Sequence, residues 1–168
     1  MWFVLKCNPG KSEEIMESCR EHISGQVLHD IFTFTYDRMK RYEGSWHTES
    51  SPMFPDCIFL ETTDPAALSE QLELYCASIK RQGDGSLLVK VSPEEEAFLK
   101  RLGGQEHHLK MSQGYIKNGI THIVTGPLVG MERRIRKIDR HKRLANIEMP
   151  MQGMEKPVQA GLEITSKS

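Results

Sequence analysis

The sequence lacks the long apolar runs and the catalytic motifs that mark membrane proteins and common enzymes. No apolar run approaches the roughly 20 residues that a membrane-spanning helix needs, so we expect no membrane association. The apolar start Trp2–Cys7 is too short for a signal peptide and has no basic leader, which predicts a cytoplasmic protein. No GxSxG elbow frames a serine, and no phosphate-binding motif follows Gly83–Gly85. We therefore expect a protein that is not an enzyme.

Metal-binding patterns are missing as well. The four cysteines are widely spaced and form no CxxC pair: Cys7, Cys19, Cys57 and Cys76. In a chain without a secretion signal, such cysteines are expected to be reduced thiols in or near a core. His107 and His108 have no cysteine or acidic ligand at metal spacing, which favours a solvated linker. The sequence thus predicts neither a bound metal nor a cofactor.

Charge is distributed unevenly along the chain. The formal net charge is −1, but residues 1–110 carry −6 and residues 111–168 carry +5. The segment Met131–Arg143 alone holds seven basic and two acidic residues, a net charge of +5. An acidic part and a basic part predict two modules with different partners.

The basic segment Met131–Arg143 is the main candidate for a binding site. Such a concentration of charge is costly unless a polyanion neutralises it, and nucleic acid is the expected polyanion. Arginine dominates, and its planar guanidinium suits phosphates and base edges. The alternative is a solvated hairpin that only aids solubility. The candidate nucleic-acid-binding residues are Arg133, Arg134, Arg136, Lys137, Arg140, His141, Lys142 and Arg143.

The first hundred residues show an α+β pattern. β-branched and aromatic runs predict strands at Trp2–Cys7, Ile31–Tyr36, Trp46–Ser50 and Cys57–Leu60, with a hairpin turn at Glu43–Ser45. Helices are predicted over Lys11–Ser24, from Pro65 onward and from Pro93 to Gly103–Gly104. Leu68, Leu72 and Tyr75 are expected to line the apolar face of the second helix. The expected helix N-caps are Ser12, Asp64 and Ser92, the last in a capping box with Glu95. This order predicts an antiparallel sheet with flanking helices.

The remainder reads as short strands and turns. Predicted strands are Ile120–Val124, Arg134–Ile138, Leu144–Met149, Pro157–Val158 and Leu162–Ile164. Five short strands in about fifty residues favour a small all-β barrel. Ile135 and Ile138 are three apart, which predicts a β-bulge that turns Arg136 and Lys137 outward. We expect an N-terminal domain at 1–104, a linker at 105–113 and a C-terminal domain at 114–168.

One aromatic residue stands out among the apolar positions near the N-terminus. Phe54 precedes Pro55 at the entrance to a strand, where a large side chain is often only half covered. A half-covered aromatic beside a sheet can anchor a partner helix. We therefore expect Phe54 to lie at a protein-binding surface.

Taken together, these segments resemble the NusG family of transcription elongation factors over nearly the whole chain. Trp2–Glu14 resembles the family's first strand and helix, and Met53–Leu60 resembles its FFPGY-type strand. Ser92–Glu95 is similar to its late helix start, and Val124–Gly130 with the basic segment after it resembles a KOW motif.

The resemblance implies a NusG-like N-terminal domain that binds the clamp helices of bacterial RNA polymerase, and a C-terminal KOW domain. The residues at the matching polymerase-binding positions are Trp2 and Phe54. Arg38, Lys40 and Arg41 lie beside a hairpin that could reach the upstream non-template DNA strand, or they are ordinary solvated charge. We expect a monomer.

The basic segment also resembles that of a specialised paralogue, the LoaP-type antiterminators. Arg133 replaces a usual KOW glycine, and the segment is more basic than is typical of the family. The resemblance implies that the KOW domain binds an RNA stem-loop while the N-terminal domain suppresses pausing or termination. Three alternatives stay open. They are a general elongation factor whose barrel binds a termination factor or ribosomal protein, a ribosome-associated KOW protein, and an enzyme acting on nucleic acid.

Overall fold

A computed structural model describes residues 1–76, 79–81, 83–149 and 157–168. Within these ranges the protein is a mixed α+β structure with three sheets and three α-helices. The helices are α1 (Ser12–His22), α2 (Pro65–Tyr75) and α3 (Pro93–Gly103). The strands are β1 (Trp2–Cys7), β2 (Asp30–Phe32), β3 (Thr35–Tyr42), β4 (Ser45–Pro52), β5 (Cys57–Glu61), β6 (Ile79–Lys80), β7 (Leu88–Lys90), β8 (His108–Leu109), β9 (Ser112–Lys117), β10 (Ile120–Thr125), β11 (Ile135–Asp139), β12 (Leu144–Ile147) and β13 (Val158–Lys167).

The chain forms two compact units. Unit 1 comprises Met1–Thr33 and Phe54–Glu96, and unit 2 comprises Phe34–Met53 and Ala97–Ser168. These units do not follow the segments 1–104 and 114–168, because the β3–β4 hairpin belongs to unit 2. The two units therefore do not test the predicted division into an N-terminal domain and a KOW domain. That division stays a prediction. No α-helix in the described ranges is long and apolar enough to span a membrane.

Unit 1 is built on a five-stranded sheet in which β1 is central. Strand β1 pairs antiparallel with β5, β6 and β7, and β2 pairs with β5 at one edge. Residues at alternate positions of β1 and β5, such as Leu5 and Ile58, pack in one core cluster with α1 and α2. The side chains at the intervening positions face the other side of the sheet, where they form an aromatic cluster that includes Trp2, Phe32 and Phe59. Burial of both faces explains why β1 is apolar at consecutive positions.

Local signals correctly predicted the start of two of the three α-helices in the described ranges. Asp64 caps α2 by accepting a hydrogen bond from the Ala67 amide at 3.1 Å. Ser92 and Glu95 form the predicted capping box. The predicted cap at Ser12 is wrong: Ser12 is already helical, and Lys11 occupies the cap position without a side-chain hydrogen bond. Tyr75 does not line the buried face of α2, since 45% of it is exposed.

The predicted strand Ile31–Tyr36 is divided in two by its hydrogen bonds. Strand β2 ends at Phe32 and pairs with β5, whereas β3 begins at Thr35 and pairs with β4 and β8. The Thr35 amide donates to the His107 carbonyl, and the Phe34 carbonyl accepts from Met53. The apolar run continues through the break because Phe34 is itself fully buried.

Unit 2 contains a three-stranded and a five-stranded sheet. Their orders are β4-β3-β8 and β10-β9-β13-β12-β11. The β3–β4 hairpin has the predicted tight turn, with Glu43 and Gly44 at φ values of 53° and 78°. The five-stranded sheet matches the predicted all-β segment, but among the described residues no ladder joins its edge strands β10 and β11. Closure into a barrel therefore stays a prediction.

Two parts of unit 2 differ from the sequence expectation. The expected linker 105–113 contains β8 and the start of β9, and the short strands predicted at 157–158 and 162–164 are one strand, β13. Strand β9 escaped prediction because it is polar and contains Gly114. That glycine is required there, because a Cβ would lie 2.3 Å from the His122 carbonyl oxygen.

Candidate nucleic-acid interface

The basic segment folds into the hairpin β11–β12, and its side chains point in different directions because the ladder is irregular. Ile135 pairs with Ile147 and Lys137 with Asn146, so the register shifts between them and Arg136 is the extra residue. This is the predicted β-bulge, and both Arg136 and Lys137 are exposed.

The turn of this hairpin is held by its own carboxylate. Asp139 Oδ1 accepts a hydrogen bond from the Lys142 amide at 3.0 Å. That bond and the nearby charge of Lys142 hold the pKa of Asp139 below its usual value. Arg143 closes the turn in a left-handed conformation, with φ of 54°. The turn therefore presents Arg140, His141 and Lys142 to solvent.

Three arginines of the segment are engaged in contacts within unit 2. The Arg134 guanidinium lies 4.7 Å from the centroid of the Phe98 ring. Arg136 forms an ion pair with Glu148. Arg143 lies 4.0 Å from the centroid of the Trp46 ring and 3.7 Å from Glu163 Oε1. These side chains already have partners, so each is less available to a phosphate than a solvated cation.

The other basic residues of the segment are exposed. Within the described part of the chain they form no ion pair: Arg133, Lys137, Arg140, His141 and Lys142. Long cationic side chains without an internal partner can neutralise phosphates at little cost in existing contacts. The structure thus divides the eight predicted residues into an anchored group and an available group.

The position of Trp46 beside this hairpin was not predicted from the sequence. An open cleft of about 810 Å³ brings the end of β3–β4 together with the turn of β11–β12 and with β13. We call it the Trp46 cleft. It is lined by Arg41, Trp46, Lys137, Ile138, Asp139, Arg140, His141, Arg143, Glu163 and Ile164. Four cationic side chains and one indole face two carboxylates, an arrangement that can contact both phosphate and base.

The three cations predicted to contact DNA do not lie on one face of the β3–β4 hairpin, because successive strand residues point to opposite faces. Arg41 pairs directly with Trp46 across the hairpin and lines the Trp46 cleft. Lys40 lies on the other face and forms an ion pair with Glu49 at 3.0 Å. Arg38 pairs with Glu49 in the register and is half-buried. The structure therefore joins Arg41 to the basic hairpin and leaves Lys40 neutralised.

Both predicted polymerase-binding residues are core residues of unit 1. Trp2 is 3% exposed and Phe54 is 6% exposed. The Phe54 ring lies 5.7 Å from that of Phe59, and the Trp2 ring lies 4.9 Å from that of Phe32. The expectation that Phe54 is half covered is wrong, because this aromatic cluster encloses it. A contact of either residue with a polymerase stays a prediction.

His107 and His108 are not the solvated linker residues that the sequence predicted. His108 Nδ1 lies 2.7 Å from Thr35 Oγ1, and its Nε2 lies 2.7 Å from Asp37 Oδ1. Asp37 also accepts from the Met111 amide. The His107 ring packs edge-on against Phe34, with centroids 5.4 Å apart. These contacts attach β8 to β3, which is why this segment is ordered strand rather than linker.

Comparison with known proteins gives a match in structure but not in sequence. The chain matches no family model and no curated protein. Sixteen chains of solved structures match it. One is a structure on domain interaction in Thermotoga maritima NusG, with 17% sequence identity and a TM-score of 0.58, covering 97% of this chain and 93% of that chain. At this identity the likeness concerns the fold alone, and the chain therefore shares its fold with Thermotoga NusG.

Proposed function

We propose that this protein is a NusG-like transcription factor of the cytoplasm that suppresses pausing or termination while bound to a structured nascent RNA. The observation that carries the proposal is the Trp46 cleft, where an indole and four cations meet on one open surface. The fold likeness to Thermotoga NusG, which extends over nearly all of both chains, supports placing this surface in transcription. The proposed activity is binding, not catalysis.

The lining of the cleft suits RNA with exposed bases better than a uniform duplex. Lys137 and Arg140 can contact phosphates, and the Trp46 indole offers a surface on which a base can stack. Asp139 and Glu163 would repel phosphate but can accept hydrogen bonds from ribose hydroxyls or exocyclic amino groups. A loop or bulge of a stem-loop provides these groups together with splayed bases.

In this proposal the N-terminal domain, residues 1–104, binds the clamp helices of bacterial RNA polymerase. Trp2 and Phe54 would support that surface from beneath, because both are buried. Tethering a polymerase contact to an RNA contact raises the effective concentration of each, so both contacts can be weak. A factor that binds one polymerase conformation more tightly than others shifts the polymerase toward it. The alternative ligand for Arg41 is non-template DNA, and the titration described next would favour it if the DNA duplex bound more tightly than the RNA stem-loop.

The test is a salt titration of the full chain against an RNA stem-loop, a DNA duplex and an unstructured RNA strand. We expect selective binding of the stem-loop, with affinity falling steeply with salt. Arg140→Ala should weaken stem-loop binding and reduce the salt slope by about 1. Lys117→Ala removes an exposed cation of β9 outside the cleft and is the matched control. Weak and equal binding to all three nucleic acids would reject RNA recognition.

A second candidate function has its own observation. Ile120, Val124 and Val129 are large apolar side chains that are 61%, 61% and 43% exposed, and β10 is an edge strand. Exposed apolar residues at a sheet edge suit a protein partner. A general elongation factor whose five-stranded sheet binds a termination factor or ribosomal protein would use this edge. Loss of partner binding in Val124→Asp, with RNA binding unchanged, would favour it.

A further inference from the structure

Two free cysteines of unit 1 lie in direct contact. Cys19 is in α1 and Cys76 is the C-cap residue of α2, and their sulfur atoms are 3.3 Å apart. Neither belongs to the proposed nucleic-acid or polymerase surface. Their contact was not predicted from the sequence, because 57 positions separate them along the chain.

The two thiols differ in environment. Cys19 is fully buried, whereas Cys76 is partly exposed at the end of its helix. The hydrogen bond between the thiols stabilises the Cys76 thiolate, with further help from Ser18 and His22, and lowers the pKa of Cys76 to about 7. The same bond, together with burial, raises the pKa of Cys19. The more exposed sulfur, that of Cys76, is thus the one that ionises more readily, and the buried Cys19 sulfur beside it is the one that stays protonated.

We propose that Cys19 and Cys76 form a reversible disulfide, and that Cys76 is the thiol that reacts first with a peroxide. A partly exposed thiolate next to a second thiol is the arrangement of a sulfenic acid that is resolved within one chain. The site needs no residue outside unit 1.

The reaction with hydrogen peroxide balances in two steps. The Cys76 thiolate attacks one peroxide oxygen and breaks the O–O bond, which gives a sulfenic acid and a hydroxide that takes up a proton to become water. The Cys19 sulfur then attacks the sulfenic sulfur, loses its proton and displaces hydroxide, which leaves as a second water. The two thiols lose two electrons and the peroxide gains them.

The geometry allows the second step with little movement. A disulfide needs its sulfur atoms about 2.05 Å apart, so closure requires a displacement on the order of 1 Å. Cys19 lies within a helix and is held by its backbone, whereas Cys76 has an extended backbone just after α2. Cys76 can therefore supply the movement by a change of side-chain torsion. The bond would join α1 to α2.

The remaining cysteines provide an internal comparison. Cys7 and Cys57 are buried in β1 and β5. Burial raises the pKa of Cys57 to about 11, although Lys6 lies nearby. We expect neither to react at neutral pH on the time scale of Cys76.

The test treats the reduced full chain with hydrogen peroxide at pH 7 and counts free thiols, followed by peptide mapping. We expect the count to fall from four to two, with one intramolecular link between the peptides of Cys19 and Cys76 that dithiothreitol reverses. Cys76→Ser should abolish the loss of thiols, and Cys57→Ser should lose two thiols at the rate of the unaltered protein. Because Cys19→Ser could impair folding, mapping of the unaltered protein decides the pairing.

Three outcomes would overturn the proposal: no loss of thiols, a link between two chains, or Cys76 oxidised to sulfinic acid without a link to Cys19. Each is distinct from a failure of the proposed function, since the assay involves neither RNA nor polymerase.

Discussion

The Arg143 guanidinium carbon lies 4.0 Å from the centroid of the Trp46 ring, and this contact joins the β3–β4 hairpin to the basic hairpin. Arg143 also lies 3.7 Å from Glu163 Oε1 and 3.6 Å from Met39 Sδ. These contacts hold Arg143 in place and position the indole at the cleft. Arg143 therefore organises the cleft, while Arg140 and Lys142 remain available to a ligand.

Trp46→Ala should weaken binding of an RNA stem-loop. Stacking of a base on an aromatic side chain contributes about 1–3 kcal/mol, which predicts an affinity loss of roughly 5- to 150-fold. Trp46→Phe should retain part of the affinity. Tyr42→Ala is the control, because Tyr42 stacks on His47 on the other face of the same hairpin, with centroids 3.8 Å apart. Equal losses of RNA affinity in Trp46→Ala and Tyr42→Ala would contradict a specific role of Trp46 in RNA binding.

Arg143→Ala should reduce both stability and RNA affinity. An arginine over an exposed or half-exposed indole contributes about 0.5–1 kcal/mol, and the loss should appear in the free energy of unfolding by urea. Arg140→Ala should leave that free energy unchanged within about 0.5 kcal/mol, because Arg140 is exposed. A stability loss in Arg140→Ala as large as in Arg143→Ala would contradict the division into anchored and available arginines.

Asp37→Ala should destabilise unit 2 more than an ordinary surface substitution. Asp37 bonds His108 at 2.7 Å and the Met111 amide at 3.3 Å, so its removal leaves two part-buried donors without their partner. Such a loss costs about 1–3 kcal/mol. Glu49→Ala, which removes only the exposed pair with Lys40, should cost less than about 1 kcal/mol. Chemical denaturation of both variants measures the two losses of stability. Equal midpoints would show that Asp37 contributes no more to stability than the exposed Glu49 does.

The features that the sequence predicted depend on neighbouring residues. The turn at Glu43–Gly44, the cap at Asp64, the capping box and the bulge at Arg136 each follow from a few adjacent positions. The errors that concern the site arise where distant segments meet, whereas the cap at Ser12 and strand β9 were missed for local reasons. Phe54 is enclosed by an aromatic cluster, and the cleft requires Trp46 to meet a turn far along the chain. No local pattern encodes such contacts, so the composition of the cleft could not be predicted.

Gly114→Ala should disrupt the five-stranded sheet. A Cβ there would lie 2.3 Å from the His122 carbonyl oxygen, and β9 and β10 would have to separate. Overpacking of this kind costs about 1–3 kcal/mol or more. Gly25→Ala is the control, because nothing lies within 4 Å of a Cβ at that position. The same midpoint of thermal unfolding in both variants would show that β9 and β10 do not approach each other as closely at Gly114 as described.

The reactivity of Cys76 should depend on pH in a way that Cys57 does not share. The pKa of Cys76 is lowered from its ordinary 9.0 to about 7, so its thiolate fraction rises through neutral pH and levels off above about pH 8. The pKa of Cys57 is raised to about 11, so its thiolate is scarce over the same range. Iodoacetamide labelling followed by peptide mapping should give a half-maximal rate for Cys76 near pH 7. Removing the hydrogen bond from Cys19 by Cys19→Ala should move that midpoint toward higher pH, provided that circular dichroism shows a folded protein. A Cys76 rate that still climbs above pH 9 in the unaltered protein would contradict the thiol–thiolate contact, because the lowered pKa depends first on that hydrogen bond.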